Sequence, residues 1–130
     1  MYKVLLIEDS AELREVLAQY IEADGAMTVA GSTDNPHDAI RLLDGEDIDA
    51  VIVDLQLRDG TSGLPVLAHL ERTGNPRGVL RVVLTNSSTD VFRRGVRKLG
   101  AEHFFDKSME FDQAIAVLAD DAKRREALRV

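Results

Sequence analysis

The sequence contains no cysteine, and this absence excludes disulfide bridges, thiolate zinc sites and catalysis by a thiol. Long hydrophobic runs are missing as well, since no window approaches the roughly 18 apolar residues of a membrane span. The apolar run Val4–Ile7 near the N-terminus is too short for a signal peptide. These absences predict a cytoplasmic protein without a membrane anchor.

Basic residues are in the minority, with 16 lysines and arginines against 23 acidic residues and a formal net charge of −7. This balance argues against non-specific binding to nucleic acids or to anionic membranes. The 130 residues correspond to one domain, because a single core usually serves roughly 100–200 residues. A hydrophobic content of 45% with 30% charged residues is typical of globular chains and not of disordered ones.

Short apolar runs alternate with longer amphipathic segments along the chain. The runs are Val4–Ile7, Met27–Ala30, Ala50–Val53, Val79–Leu84 and His103–Phe105. Three of them consist almost entirely of β-branched residues and leucine, which is typical of strands buried on both faces of a parallel sheet. Five segments with helical spacing follow these runs. The first follows Ser10, the second follows Asn35, and the third runs from Ser62 to Arg72. The fourth includes Val96 and Leu99, and the fifth starts near Met109.

Five strands alternating with five helices predict an α/β fold with an open, doubly wound, five-stranded parallel sheet. Five units are too few for a closed eight-stranded barrel. In an open sheet of this kind, ligands bind outside the carboxyl ends of the strands. We therefore expect one domain over residues 1–130, with its functional groups at one edge of the sheet.

Polar side chains follow four of the predicted strands at the point where each strand ends. Glu8 and Asp9 follow the first strand, Asp54 follows the third, Thr85 the fourth, and Lys107 comes shortly after the fifth. Because the carboxyl ends of parallel strands meet at one edge of the sheet, we expect these groups to converge.

This combination of groups indicates a particular chemistry. Clustered carboxylates repel one another and raise each other's pKa unless a cation intervenes, and carboxylates with waters suit Mg²⁺ better than zinc. A lysine ammonium and a threonine hydroxyl can both donate to a phosphoryl oxygen. The set therefore predicts magnesium-assisted phosphoryl transfer with a carboxylate nucleophile.

The sequence resembles the receiver domain of two-component response regulators over essentially its whole length. Four segments show the resemblance: Val4–Asp9, Val51–Leu55, Val82–Thr85 and Gly100–Lys107. Such receivers have the flavodoxin-like fold, take part in signal transduction and phosphorelays as phosphoproteins, and occur also as single domains. The resemblance thus implies a phosphoacceptor switch, not an enzyme with a turnover substrate.

The resemblance also implies a role for each residue of the cluster. Asp54 would take a phosphoryl group from a sensor histidine kinase or phosphotransfer protein. Glu8 and Asp9 would hold Mg²⁺ together with Asp54 and the backbone carbonyl of Gln56.

A second set of residues matches the part of the family that responds to phosphorylation. Lys107 would contact the phosphoryl group, and Thr85 would reorient to form a hydrogen bond with it. Phe104 matches the family's switch aromatic residue, whose burial changes as the threonine moves. The changed surface would bind a downstream protein target.

Three positions depart from the family's usual sequence. Ser108 follows the lysine where the family has a proline in a cis peptide, so the loop either retains a costly cis bond or is trans. Asn86 replaces a small residue and should obstruct phosphodonors or the hydrolytic water. It therefore predicts slow phosphotransfer to Asp54 or slow loss of the phosphoryl group. Arg58 replaces a proline, and one extra residue before Gly63 predicts an altered loop after the third strand.

A basic row lies on the fourth predicted helix of this acidic protein. Its members are Arg93, Arg94, Arg97 and Lys98, and the acidic residues of the last helix are Asp112, Asp120 and Asp121. The row is either a solvated helix face or one half of a symmetric dimer interface formed by helix 4, strand 5 and helix 5, as in related receivers.

Two alternatives to the phosphorylation switch remain open. Asn86 and Ser108 favour a constitutive binding module that no longer switches. Phosphatases with a nucleophilic aspartate share this chemistry, but they typically have a second acid two residues later, where this chain has Gln56. The side chain of Gln56 either reaches the attacking water or is a solvated loop residue.

Since the last helix is expected to end near Val130, we expect no output domain, although the chain could also be part of a longer regulator.

Overall fold

In the computed structural model, which describes residues 1–86 and 90–128 (the backbone alone for 90–92), the five apolar runs form five strands of one sheet. The strands are β1 Tyr2–Ile7, β2 Met27–Thr33, β3 Ala50–Val53, β4 Leu80–Thr85 and β5 His103–Asp106. The helices are α1 Ala11–Glu22, α2 Pro36–Gly45, α3 Leu64–Arg72, α4 Asp90–Lys98 and α5 Phe111–Leu128, and a short 3₁₀ turn spans Arg58–Gly60.

All neighbouring strands are parallel, and their order in the sheet is β2-β1-β3-β4-β5. The predicted doubly wound α/β fold is therefore confirmed. β1 and β3 are adjacent at the centre, which brings the residues after Ile7 and Val53 next to each other.

The strands are buried on both faces because successive side chains point to opposite sides of the sheet. Leu5 and Ile7 pack on the face covered by α2, α3 and α4, whereas Val4 and Leu6 pack on the face covered by α1 and α5. This arrangement explains why the strand sequences are continuously apolar and do not alternate with polar residues.

Side-chain caps fix the starts of two helices at the predicted positions. The Ser10 hydroxyl accepts a hydrogen bond from the Leu13 amide at the start of α1. The Asn35 side chain accepts from His37 and Asp38 at the start of α2. Such caps satisfy amides that have no partner within the helix.

β2 is longer than the sequence pattern predicts, since it continues beyond Ala30 to Thr33. Its pairing with β1 shifts between Val4 and Leu5, and Leu5 pairs with Gly31. β2 lies at the edge of the sheet, where polar residues such as Thr33 are tolerated, so hydrophobicity alone did not reveal the extension. Among the described helices, none combines the length and apolar character needed to cross a membrane.

Candidate functional site

The carboxylates predicted to converge do meet at the carboxyl end of the sheet. Asp54 directly follows β3, and its amide donates to the carbonyl of Ile7, the last residue of β1. Glu8 follows β1 in turn, and its amide donates to the Thr33 carbonyl. The side-chain oxygens of Glu8, Asp9 and Asp54 lie within 4.8 Å of one another. Glu8 and Asp54 are each only 3% exposed, so two buried carboxylates need a partner.

Lys107 supplies positive charge to this cluster. Its Nζ lies 2.5 Å from Oδ2 of Asp54 and 2.7 Å from Oε1 of Glu8. The Lys107 amide donates to the carbonyl of Thr85 at 3.0 Å, which fixes the lysine beside the end of β4. The ammonium thus neutralises part, but not all, of the charge of three carboxylates.

The protonation of the cluster follows from burial and from this pairing. Burial raises the pKa of Glu8, helped by its hydrogen bond with Asp9 and opposed by Lys107. The same hydrogen bond lowers the pKa of Asp9, which stays ionised more readily. For Lys107, burial disfavours the charge, but hydrogen bonds to Asp54 and Glu8 outweigh it and raise its pKa. Of Glu8 and Asp9, Glu8 is therefore the carboxyl group that retains a proton more readily.

Thr85 ends β4 with no exposed surface, beside the strand that leads to Lys107. Its register partner on β5 is Asp106. Thr85, which the strand-end pattern predicted, therefore lies at the same edge of the sheet as the carboxylates and the lysine.

The turn after β5 shows how this chain accommodates Ser108. Oδ1 of Asp106 accepts hydrogen bonds from the Ser108 amide at 2.9 Å, the Ser108 hydroxyl at 2.8 Å and the Met109 amide at 2.9 Å. These bonds, led by the one from the Ser108 side chain, lower the pKa of Asp106. None of the described peptide bonds is cis, so Lys107–Ser108 is trans. A serine-closed turn therefore positions Lys107 without the proline.

The loop after β3 is held directly against Asp54. The Gln56 amide donates to Oδ1 of Asp54 at 3.0 Å, while the Gln56 side chain itself is exposed. Asp59 and Gly60 both have positive φ within the region of the 3₁₀ turn Arg58–Gly60. The chain then returns so closely that a Cβ on Gly63 would lie 2.2 Å from the Asp54 carbonyl oxygen. Sequence reasoning predicted an altered loop here but missed this contact.

Phe104 lies half-buried against the core on the α4 side of the sheet. The guanidinium carbon of Arg93 lies 4.6 Å from the centre of its ring. The predicted switch aromatic therefore contacts α4. Asn86, just after β4, is exposed.

The prediction that Asp121 belongs to an acidic surface of α5 is wrong. Asp121 is 5% exposed and accepts a 2.5 Å hydrogen bond from the Tyr2 hydroxyl, with Arg124 and Arg125 as further partners. It stabilises the contact between α5 and β1 and is not available to a second copy. Asp112 and Asp120 are exposed as expected.

The donor set fits a hard divalent cation. Three carboxylates offer only oxygen, as Mg²⁺ requires, and their spacing within 4.8 Å is close to the span of about 4.2 Å across an octahedral site with bonds of about 2.1 Å. One ammonium against three carboxylates leaves negative charge that a divalent ion would balance. The arrangement suits a buried carboxylate nucleophile beside a metal and a lysine.

Comparison with known proteins places this chain in a family. Residues 4–119 match the family model of the response regulator receiver domain, so the chain belongs to that family. Its relatives are regulators of signal transduction. The sequence-based identification is confirmed.

Individual relatives agree with this assignment. The chain is 30% identical over 104 residues to a protein-glutamate methylesterase/protein-glutamine glutaminase of Rhodospirillum centenum, covering 78% of this chain and 26% of that protein. It is 30% identical over 122 residues to the transcriptional regulatory protein TcrA of Mycobacterium tuberculosis, covering 94% and 46%. The receiver domain of a DNA binding response regulator from Colwellia psychrerythraea superimposes with a TM-score of 0.80 at 26% identity, covering 92% and 97%. The chain thus spans less than half of these two curated relatives.

Proposed function

We propose that residues 1–130 form a receiver domain in which Asp54 accepts a phosphoryl group from a histidine kinase or phosphotransfer protein in a Mg²⁺-dependent reaction. The observation that carries this proposal is the burial of Asp54 between two further carboxylates and the ammonium of Lys107. A nucleophile placed in such a cluster can attack a phosphoryl donor whose charge is balanced by the surrounding cations.

The transfer would proceed as a simple displacement. A carboxylate oxygen of Asp54 forms a bond to phosphorus, while the P–N bond of the donor phosphohistidine breaks and leaves its electron pair on the imidazole. Glu8, Asp9, Asp54 and the carbonyl of Gln56 would hold Mg²⁺. When bound, the ion neutralises charge on the phosphoryl oxygens. Glu8 serves as a ligand in its ionised form.

Lys107 and Thr85 would respond to the product. Phosphorylation places new negative oxygens on Asp54, and Lys107 already contacts that carboxylate at 2.5 Å. Thr85, at the neighbouring strand end, has the hydroxyl that would bind a phosphoryl oxygen. The resulting shift would reach Phe104 and α4 and change the surface offered to a downstream protein.

The output of the switch would be protein binding. The methylesterase and the transcriptional regulator named above are longer proteins whose activities belong to them and not to this chain. Gln56 stands where a phosphatase typically has a second acid, which favours a phosphoacceptor switch over catalytic turnover. The exposed row Arg94, Arg97 and Lys98 on α4, with Asp112 and Asp120 on α5, could also join two copies as a dimer.

Intact-mass spectrometry after incubation with Mg²⁺ and acetyl phosphate tests this function. We expect one phosphoryl adduct in the wild type, loss of the adduct in Asp54→Ala and Asp9→Asn, and its loss when the metal is chelated. Asp47→Ala is the matched control, because the Asp47 side chain is 83% exposed and should be dispensable. Absence of the adduct from the wild type, also with a cognate kinase, would favour the constitutive binding module, with Asn86 and Ser108 as the obstacles.

A further inference from the structure

The end of β5 presents the side chain of Phe104 to α4. Successive residues of a strand point to opposite faces, so Phe104 and Asp106 share one face while Phe105 lies on the other. The packing agrees, since Phe104 contacts the core under α2, α3 and α4, and Phe105 contacts the core under α1 and α5. Lys107, the residue that binds Asp54, follows directly.

Arg93 of α4 faces Phe104. Its guanidinium carbon lies 4.6 Å from the Phe104 ring centre, within the range of a cation–π interaction. Its charge also reaches Asp106, where it adds a smaller contribution to the lowered pKa that the Ser108 and Met109 hydrogen bonds mainly cause. Arg93 is half-buried, unlike the next basic residues of the helix.

The other cations of α4 make no comparable contact. Arg94, Arg97 and Lys98 are exposed and pair with no described acidic side chain. Only Arg93 among these four is therefore arranged to join α4 to the strand that carries Lys107.

We propose that Arg93 is a positioning residue of the switch, which fastens α4 to Phe104 and so opposes the rearrangement that phosphorylation of Asp54 requires. This inference rests on the proposed function. The contact exists while Lys107 binds the free Asp54 carboxylate, and the Lys107 amide is tied to Thr85. A movement of Phe104 away from α4 must break the contact, so the contact stabilises the unphosphorylated arrangement.

Removing the guanidinium should therefore make the switch easier to phosphorylate. A partly exposed cation–π contact corresponds to about a two- to fivefold change in an equilibrium. We expect Arg93→Gln to raise the rate and the steady-state fraction of acetyl phosphate labelling by that factor. Arg93→Lys, which keeps a cation over the ring, should restore most of the wild-type rate. Arg94→Gln on the same helix is the matched control and should not change it.

The experiment follows labelling by intact mass in the four proteins and records side-chain NMR signals of Arg93. Ring currents of Phe104 should shift the Arg93 side-chain protons upfield in the unlabelled wild type. Phosphorylation should remove this shift, and the variant Phe104→Leu should lack it. Equal labelling rates for wild type and Arg93→Gln, or an upfield shift that persists in the phosphorylated protein, would overturn the role of Arg93 while leaving the phosphoacceptor function intact. A wild type that acquires no adduct would overturn both.

Discussion

Asp54 and Lys107 form the central contact of the candidate site, and both residues could be predicted from sequence. Each stands at or just after the end of a strand, and a parallel sheet brings such ends together whatever the details of packing. The role of Ser108 could not be predicted in the same way. The hydrogen bonds from residues 108 and 109 to Asp106 replace a proline, and they depend on a turn geometry that a single sequence does not specify.

Asn86 provides a test of access to Asp54. It is exposed directly after Thr85, where a larger side chain than usual should obstruct an incoming donor or water. We predict that Asn86→Ala accelerates both labelling by acetyl phosphate and loss of the label, each by about threefold or more, which corresponds to a barrier change of roughly 0.7 kcal/mol. Time courses by intact mass measure both rates. If neither rate changes, Asn86 does not control access.

Gly63 is a residue whose importance emerged only from the structure. Its nine-residue separation from Asp54 gives no sequence signal, yet a Cβ there would lie 2.2 Å from the Asp54 carbonyl oxygen and 2.3 Å from Cγ1 of Val53. We predict that Gly63→Ala lowers the free energy of unfolding by about 1–3 kcal/mol and slows phosphorylation, because the backbone of the acceptor must move.

The control for this prediction is Gly45→Ala at the end of α2, where a Cβ would meet no atom within 4 Å. That variant should unfold within about 0.5 kcal/mol of the wild type in denaturant titrations. Equal stabilities for the two variants would contradict the proposed contact between the loop and Asp54.

The last helix, α5, is held to the sheet by a polar contact as well as by its apolar face. Tyr2 of β1 donates to Asp121, and Arg125 binds both Asp121 and the carbonyl of Gly78. The spacing of Ala114, Leu118 and Asp121 places all three on one side of the helix. The burial of Asp121 could therefore have been recognised from its helical spacing relative to these apolar residues. A charged residue was instead assigned to the surface by its chemistry alone.

The stability of this contact should depend on pH. Burial disfavours the Asp121 carboxylate, but the Tyr2 hydroxyl and the two arginines outweigh this and lower its pKa. A carboxylate whose pKa is lowered by folding stabilises the fold fully above its ordinary value of about 3.9 and loses this effect as the pH falls through the lowered value.

We therefore predict that Asp121→Asn is less stable than the wild type by about 1–3 kcal/mol between pH 5 and 8, and that this difference shrinks below about pH 4. Denaturant titrations across that range measure it. Asp120→Asn, at the exposed neighbouring position, should show no such difference. A difference that stays constant down to pH 3 would show that the Asp121 charge is not what stabilises α5.

The architecture of the chain as a whole was the most predictable feature. Continuous apolar strands between amphipathic helices allow few arrangements other than a doubly wound parallel sheet, and the strand order places β1 and β3 side by side. Its surfaces were less predictable, because exposure depends on how helices rotate against the sheet. The acidic half of the suggested dimer interface is therefore reduced to Asp112 and Asp120.

The dimer hypothesis makes a prediction for the assembled state. If α4 and α5 of two phosphorylated copies pair through opposite charges, Arg94→Glu with Arg97→Glu should abolish association, because like charges would then face each other. Light scattering on the phosphorylated proteins measures the mass. A phosphorylated double variant with the same mass as the phosphorylated wild type would exclude this interface.

The measurement that tests the central claim most directly is the location of the phosphoryl group. After labelling with acetyl phosphate and Mg²⁺, borohydride reduction converts an aspartyl phosphate to homoserine, and peptide mass spectrometry identifies the residue. The arrangement of Asp54 between Glu8, Asp9 and Lys107 predicts homoserine at position 54 in the labelled protein alone. Modification at Glu8, at Asp9 or at a histidine, with position 54 unchanged, would contradict it.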